Sequence, residues 1–390
     1  MRLSQLVLQD YRSYQDSELT LEPGSNVLLG YNGVGKTNVA EAVGYLATLS
    51  SHRVPNDGPL IRHGQEQAII RAAAHRGSRE AFLEVEINPG RSNRARINRG
   101  SPVRASEILG ILRTVLFAPE DLELIKGPPE VRRRLLDSLA VQLRPALAGV
   151  RQDYEKVLRQ RNALLKSIRH EGFTATHEST LAVWDAQLSA AGARLLRARL
   201  DMLTALLPHT ADAYQELSQS VRAAAMEYSS SLERDGGELA GASTEQLTEW
   251  MQQALGEARS QERDRAVTLI GPHRDDVHFT LDTTPVKGYA SHGETWSYAL
   301  ALRLGSYRVM LDDDPNEGAE PILILDDVFA ELDARRRRRL ADLAAGEGSS
   351  SAPGQLIVTA AVDDDVPEQL LANAYRVESE DQISRVSRYE

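Results

Sequence analysis

The sequence predicts an α/β fold: one P-loop domain built from both ends of the chain, with a mainly helical lobe inserted between them. Three observations carry this. Both ends alternate short apolar strands with helical segments, whereas from about Glu120 to Arg263 helix-period patterns dominate and glycines are few. A phosphate-loop pattern begins at Gly30, and an apolar strand ending in two aspartates closes at Asp327, so two parts of one site lie at opposite ends of the chain. The expected bounds are 1–119 and 264–390 for the main domain and 120–263 for the lobe.

The elements follow in order. Leu3 to Leu8 alternates as a strand, Leu19 and Leu21 mark a second, and Asn26-Val-Leu-Leu-Gly30 is a short apolar run ending in glycine. A helix pattern runs from Lys36 to Leu49. Ala68 to Ala74 and Ala81 to Ile87 read as strands, and Arg94 to Ile97 as a strand entering the turn Asn98-Arg99-Gly100. In the lobe, Leu181, Trp184, Leu188, Ala191, Leu195, Ala198 and Met202 fall at spacings of three and four. That stripe makes a helix of only about 30–40 Å, a packed element rather than a long coiled-coil arm. Strands are then expected at Ala266 to Ile270 and Val277 to Leu281, a helix after Gly293, and a strand from Pro321 to Leu325. Another helix near Leu332 and a strand from Leu356 to Thr359 complete the order. Asp312 to Glu317 and Glu347 to Gly354 read as exposed loops.

Composition narrows the class. The 42% apolar and 26% charged fractions are those of a globular chain. The absence of cysteine excludes disulfide scaffolds, Cys-ligated metal sites and thiol nucleophiles. No window approaches the roughly 20 apolar residues that span a bilayer, and the N-terminus has a strand pattern rather than that of a signal peptide. A cytoplasmic protein is expected. The net charge of -11 opposes nucleic acid at long range, a point that only local charge can decide. Just five lysines occur, so Lys36 is not one of many.

Lys36 closes the stretch Gly30-Tyr31-Asn32-Gly33-Val34-Gly35-Lys36-Thr37, which fits the P-loop pattern, followed by Asn38. Its glycines let backbone N–H groups curl round phosphates at a helix N-terminus. Lys36 is expected to reach the β- and γ-phosphates of ATP, and Thr37 to ligate Mg²⁺. The alternative, a chance glycine-rich turn, is disfavoured because the motif follows an apolar run and opens a helix. In Pro321-Ile-Leu-Ile-Leu-Asp326-Asp327, Asp326 is expected beside Mg²⁺, and Asp327 is expected to face the attacking water as general base or polariser.

Ser291-His-Gly293-Glu294 directly precedes a helix containing Trp296, Leu300 and Leu304. It reads either as an ordinary Ser-capped helix or as a second anion site. Placed some 30 residues before the double-Asp strand, it makes the whole look like an ABC-type P-loop ATPase head. In such heads the signature of one subunit closes over the γ-phosphate held by another.

From here the resemblance is specific and runs from end to end. The chain resembles the RecF family, bacterial recombination-mediator ATPases related to SMC heads. The residues that carry it include Leu8-Gln-Asp-Tyr-Arg12-Ser13-Tyr, the P-loop with Asn38, and Ser51-His-Arg53. Phe117-Ala-Pro-Glu-Asp-Leu through Lys126-Gly-Pro-Pro-Glu-Val-Arg132-Arg133-Arg134-Leu-Leu-Asp137 matches too, as do Gly271-Pro-His-Arg-Asp-Asp276 and Leu325 to Asp333. The resemblance implies an ATP-dependent, DNA-binding homodimer of recombinational repair that helps load RecA onto gapped DNA with RecO and RecR. It also implies that Arg12 reaches the nucleotide phosphates. Two departures stand out. Glu294 occupies a position where the family more often has Gln, and Ala360-Ala361 follows Thr359 where many ABC ATPases carry a switch histidine. Thr359 is the candidate replacement, and slow hydrolysis is expected.

For DNA, the stretch from Arg91 to Ala105 holds Arg91, Arg94, Arg96, Arg99 and Arg104 and no acid. It reads either as a hairpin contacting phosphates or as a solvated edge whose arginines deter strand pairing. No aromatics interleave with it, so backbone contact with duplex near a single-strand junction is expected rather than base stacking. A transporter-type ATPase, an SMC-like organiser and a small-molecule kinase are the alternatives. The inserted lobe, its short helical stripe and the Ser291 signature respectively count against them.

Overall fold

The computed structural model describes residues 1–218, 221–345 and 354–389. Strands β1 (Arg2–Tyr11), β2 (Tyr14–Thr20) and β3 (Gly24–Leu29) lead into helix α1 (Lys36–Thr48). Strands β4 (Ala68–Arg76), β5 (Arg79–Ile87), β6 (Arg94–Ile97), β7 (Val103–Arg104) and β8 (Thr114–Phe117) follow. Then come helices α2 (Leu122–Lys126), α3 (Pro129–Leu143), α4 (Leu147–Glu171) and α5 (Ala175–Ser218), strand β9 (Ala224–Ser229), and helices α6 (Gly236–Gly241) and α7 (Thr244–Arg265). Strands β10 (Asp276–Leu281) and β11 (Thr284–Pro285), helix α8 (His292–Asp313), strand β12 (Ile322–Asp326) and helix α9 (Ala334–Ala345) lead to β13 (Gln355–Ala360), β14 (Asn373–Glu380) and β15 (Ile383–Arg388). Of the expected loop Glu347 to Gly354, all but Gly354 lies outside the described residues.

The chain divides into two compact units. The first comprises Met1–Leu122, His209–Val221 and Ser291–Glu390. It holds an antiparallel sheet of order β2-β1-β4-β5-β6-β7 and a second sheet of order β15-β14-β3-β13-β12-β8. The second sheet is parallel except for β15 at its edge. Helix α1 is buried from Val39 to Ala47, with Glu41 the one charged residue in that stretch; Val39, Ala40, Val43, Tyr45 and Leu46 are inaccessible or almost so. Its side chains join Leu6 and Ile70 of one sheet and Ile324 and Ile357 of the other in a single core. Buried Gln355 ties the first strand to β13: its side chain accepts from the Leu3 N–H (2.8 Å) and donates to the Leu3 and Glu22 carbonyls (2.8 and 2.9 Å).

The second unit, Glu123–Pro208 and Arg222–Ala290, differs from expectation in three respects. Residues 264–290, assigned to the main domain from the sequence, fall here because β10 pairs with β9 from Asp276↔Ser229 to Leu281↔Ala224. The lobe thus contains a three-stranded sheet, β11-β10-β9. Ala266 to Ile270 forms no strand; the Thr268 carbonyl accepts Arg274, and its hydroxyl pairs with Arg161 and Asn162. Finally, α5 has 44 residues, about 65 Å at 1.5 Å per residue, twice the length its stripe suggested. It continues through Pro208, and its last turns belong to the first unit. There His209 pairs with Asp312 (3.0 Å) and Glu216 with Arg308 (2.6 Å).

Buried charge in the second unit is matched by partners. Arg161, fully buried, meets Asp185 at 2.7 Å and Glu262 at 2.6 Å, and Arg259 joins Asp185 at 2.6 Å. Arg199 forks onto Asp137 at 2.6 and 2.9 Å. Arg132 forks onto Asp276 at 2.7 and 3.0 Å. Unpaired, any of these groups would carry a large desolvation cost. The sequence-matched segments around Asp137 and Asp276 are therefore framework in this unit. Among the described residues, no helix is long and apolar enough to cross a membrane.

Candidate functional site

The P-loop leaves β3 at Leu29 and enters α1 at Lys36, the strand-to-helix turn that its sequence predicts. Two glycines are required by geometry. At Gly30 a Cβ would collide with the Val377 carbonyl of β14. Gly35 has φ 112, and a Cβ there would lie 2.5 Å from Ser384 Oγ. Gly35 caps α1 without a side-chain hydrogen bond, so the first N–H groups of the helix stay available to an anion. Lys36 is buried, and its ammonium donates to the Gly30 (2.8 Å) and Tyr31 (3.2 Å) carbonyls. Ser384 donates to Val34 O (2.5 Å) and pairs with Ser13 Oγ (2.6 Å), while Tyr14 donates to Gly35 O (3.1 Å). The loop is thereby braced by the β1–β2 turn and by the C-terminal hairpin.

The second element arrives on β12. Asp326 Oδ1 accepts from Thr37 Oγ1 (3.0 Å) and from Thr359 Oγ1 (2.6 Å) of neighbouring β13. Burial, partly offset by the Thr359 hydrogen bond and reinforced by the Asp327 charge, pushes the Asp326 carboxyl up to about 6. Asp327 turns back at a left-handed φ of 51, and its N–H donates to Thr359 Oγ1 (2.9 Å). Thr359 thus fixes both acids at once.

Asp327, Lys36, Thr37, Asn32, Gly33, Gly35, Asn38 and Arg12 line an open cleft of about 1030 Å³, within reach of nucleotide size. Val34 packs against the core, and Tyr31 is 82% exposed. Arg12, at φ 52, forks onto buried Glu41 of α1 (2.7 and 2.6 Å). Asn38 donates to Ser13 Oγ (2.8 Å) and accepts Arg53 (3.1 Å). The sequence reading missed Glu41 and gave no role to His52. His52 Nε2 lies 3.9 Å from Asp326 Oδ2. Burial above all lowers its pKa to about 4, so the imidazole is neutral.

Hard oxygen donors, a threonine hydroxyl and a carboxylate 3.0 Å apart, are the kind Mg²⁺ accepts. No group of three or more His, Cys, Asp or Glu that could hold a metal occurs among the described residues. A cation here would accordingly keep waters and phosphate oxygens in its shell, as Mg²⁺ does in nucleotide sites.

The signature residues also lie in the first unit. Ser291 is the N-cap of α8 in a capping box with Glu294, whose carboxylate accepts from the Ser291 N–H and hydroxyl (both 2.8 Å). At Gly293 a Cβ would stand 2.7 Å from the Arg336 guanidinium, which donates to Ser297 Oγ (3.0 Å) and pairs with Asp333. The arginine hairpin forms at the edge of the antiparallel sheet. Arg96 pairs with Glu84, Arg94 stands opposite Glu86, and Arg99 lies over the Phe82 ring (5.3 Å). Arg91 and Arg104 are exposed. The stretch is free of acids in sequence, yet β5 brings two glutamates beside it.

Residues 2–385 match the family model of the RecF/RecN/SMC N-terminal domain. The chain is 52% identical to the DNA replication and repair protein RecF of Pseudarthrobacter chlorophenolicus over 97% of this chain and 98% of that one. It is 53% identical to the protein of that name from Streptomyces avermitilis over 99% and 100%. Among solved structures it is similar to the recombination mediator protein RecF-ATPrS of the RecFOR pathway, with a TM-score of 0.86, 25% identity and coverage of 100% and 98%. It also shares the fold of an Smc head domain derived from Pyrococcus furiosus, with a TM-score of 0.53, 17% identity and coverage of 100% and 96%.

Proposed function

The chain belongs to the RecF/RecN/SMC N-terminal domain family and has its ABC-type ATPase head fold, and on that premise we propose that it is an ATP-switched DNA-binding protein of replication and recombinational repair. The observation that carries this reading is the contact between Thr37 and Asp326 (3.0 Å), which brings two motifs 289 residues apart into one site. In this reading the P-loop amides, Asn32, Lys36 and Asn38 hold the ATP phosphates. Lys36 exchanges its present carbonyl partners for phosphate oxygens. Arg12 projects into the same cleft from its Glu41 anchor and meets the phosphates there. Thr37 and Asp326 hold Mg²⁺, which supplies charge neutralisation of the phosphates when bound. Asp327, the half-exposed acid of the pair, orients the attacking water. Hydrolysis is slow because Thr359, a hydroxyl rather than an imidazole, occupies the switch position.

Ser291 and Gly293 take no part in their own subunit's cleft in this reading. They close over the γ-phosphate of a second copy, so ATP joins two heads and hydrolysis releases them. The dimer holds duplex DNA near a single-strand junction. It acts with RecO and RecR in loading RecA, a role supported by likeness to proteins named RecF. The chain works as two functional parts, an ATPase head and an inserted lobe. Sedimentation with and without ATP and DNA tests the reading. Wild type should become dimeric only with ATP and bind DNA better as a dimer. Lys36→Ala should lose ATP binding and dimerisation together, and undiminished ATP-dependent dimers of that variant would refute the model.

A further inference from the structure

Ser51-His52-Arg53 has no part in the mechanism so far, although its two outer residues are firmly tied. Ser51 donates to Glu41 and accepts the N–H groups of Arg53 (2.9 Å) and Val54 (3.1 Å), which closes a tight turn after α1. Arg53 reaches back to Asn38 (3.1 Å) and to Glu41 (3.9 Å). The turn therefore hangs from α1, the helix that the P-loop opens, and its middle residue is directed to the end of β12. His52 is 15% exposed, and its Nε2 is buried without a hydrogen-bond partner among the described residues. A buried polar atom left without a partner is costly, so the position calls for something to bind there.

Asp326 Oδ2 lies 3.9 Å away, while Oδ1 is taken by Thr37 and Thr359. That separation is too long for a hydrogen bond. It suits a third atom: an oxygen about 2.8 Å from each would subtend an angle of roughly 90° between them, which both groups tolerate. We propose that His52 is a positioning residue, and that its Nε2 and Asp326 Oδ2 together hold one water oxygen of the Mg²⁺ shell. An imidazole then stands at the double-aspartate strand although none follows β13. The histidine comes from the turn after α1 instead of from the strand next to Asp326. The inference rests on the ATP–Mg²⁺ reading of this cleft and adds a residue to it.

The test titrates a fluorescent ATP analogue into wild type, His52→Ala and His52→Gln at a series of MgCl₂ concentrations, with ATP turnover measured in parallel. His52→Ala should bind the analogue without Mg²⁺ as wild type does. It should need about tenfold more Mg²⁺ to reach tight binding and lose about 10–100-fold in turnover, the usual effect of removing an outer-sphere partner. His52→Gln, whose amide can reach the same oxygen, should recover much of both. Unchanged Mg²⁺ dependence in a folded His52→Ala would overturn the inference alone. So would a loss of binding equal with and without Mg²⁺, which marks a purely structural residue. A wild-type chain that binds no nucleotide would overturn the reading of the whole cleft and this inference with it.

Discussion

Asp326→Asn should stabilise the nucleotide-free protein, and by an amount that depends on pH. The folded structure raises the Asp326 carboxyl from 3.8 to about 6, chiefly through burial. A raised carboxyl favours the protonated form, so its contribution to stability is fully present below pH 3.8 and is lost as pH rises through about 6. At pH 8 the ionised group costs about 3 kcal/mol, since each tenfold change in proton affinity corresponds to roughly 1.4 kcal/mol. At pH 5 the same arithmetic leaves about half of that. Asparagine keeps a carbonyl oxygen for the Thr37 and Thr359 hydroxyls and has no charge to bury. The gain should therefore be about 3 kcal/mol at pH 8 and about half of that at pH 5. Urea unfolding without nucleotide or Mg²⁺ measures it. In a Trp184→Phe, Trp250→Phe background only Trp296 remains, and this buried residue of α8 reports the first unit. A gain equal at both pH values, or destabilisation at pH 8, would refute the reasoning.

Three further outcomes are expected. Asp327→Asn should fold normally, because asparagine tolerates the left-handed backbone at that position; it should bind ATP, turn it over at least 100-fold more slowly and accumulate dimer in sedimentation, and wild-type turnover would remove its assigned role. Reversing Arg94 and Arg104 to glutamate should weaken DNA binding and flatten its salt dependence by about 0.9 in log–log slope for each phosphate no longer neutralised; if neither changes in anisotropy titrations across salt, the hairpin is only an edge. Arg161→Ala should destabilise the second unit by about 3–5 kcal/mol, because Asp185 and Glu262 are left buried, as read by urea unfolding through Trp184 and Trp250.

The parts of the site that were legible in the sequence are those whose chemistry is local. Gly30 to Thr37 must be a strand-to-helix turn to have those residues, and Asp326 must end a strand to follow Pro321-Ile-Leu-Ile-Leu. What could not be read depends on distant partners. Glu41 looks like any acid on a helix until the Arg12 guanidinium is seen to fork onto it, and His52 gains meaning only beside Asp326. The apolar run Ala266 to Ile270 suggested a strand, but the Thr268 side chain serves the buried Arg161 and its carbonyl accepts from Arg274. The alanine-rich β9 gave no strand pattern, and its pairing with β10 moved the expected boundary. The arginine stretch, free of acids in sequence, gains acidic neighbours for the same reason, since Glu84 and Glu86 come from a different strand.

The brace on the P-loop by Ser384 bears on synthesis. Strand β3 lies between β13 and β14, both made long after it, and Ser13 and Val34 wait for a hydroxyl 371 and 350 residues downstream. The P-loop emerges well before Ser384, so it cannot take its braced shape until the segment that carries this serine has been made. A nascent chain that still lacks Ser384 would thus be unable to capture ATP or pair with a neighbour on the same messenger RNA. Competence would come only once β13, β14 and β15 have been made.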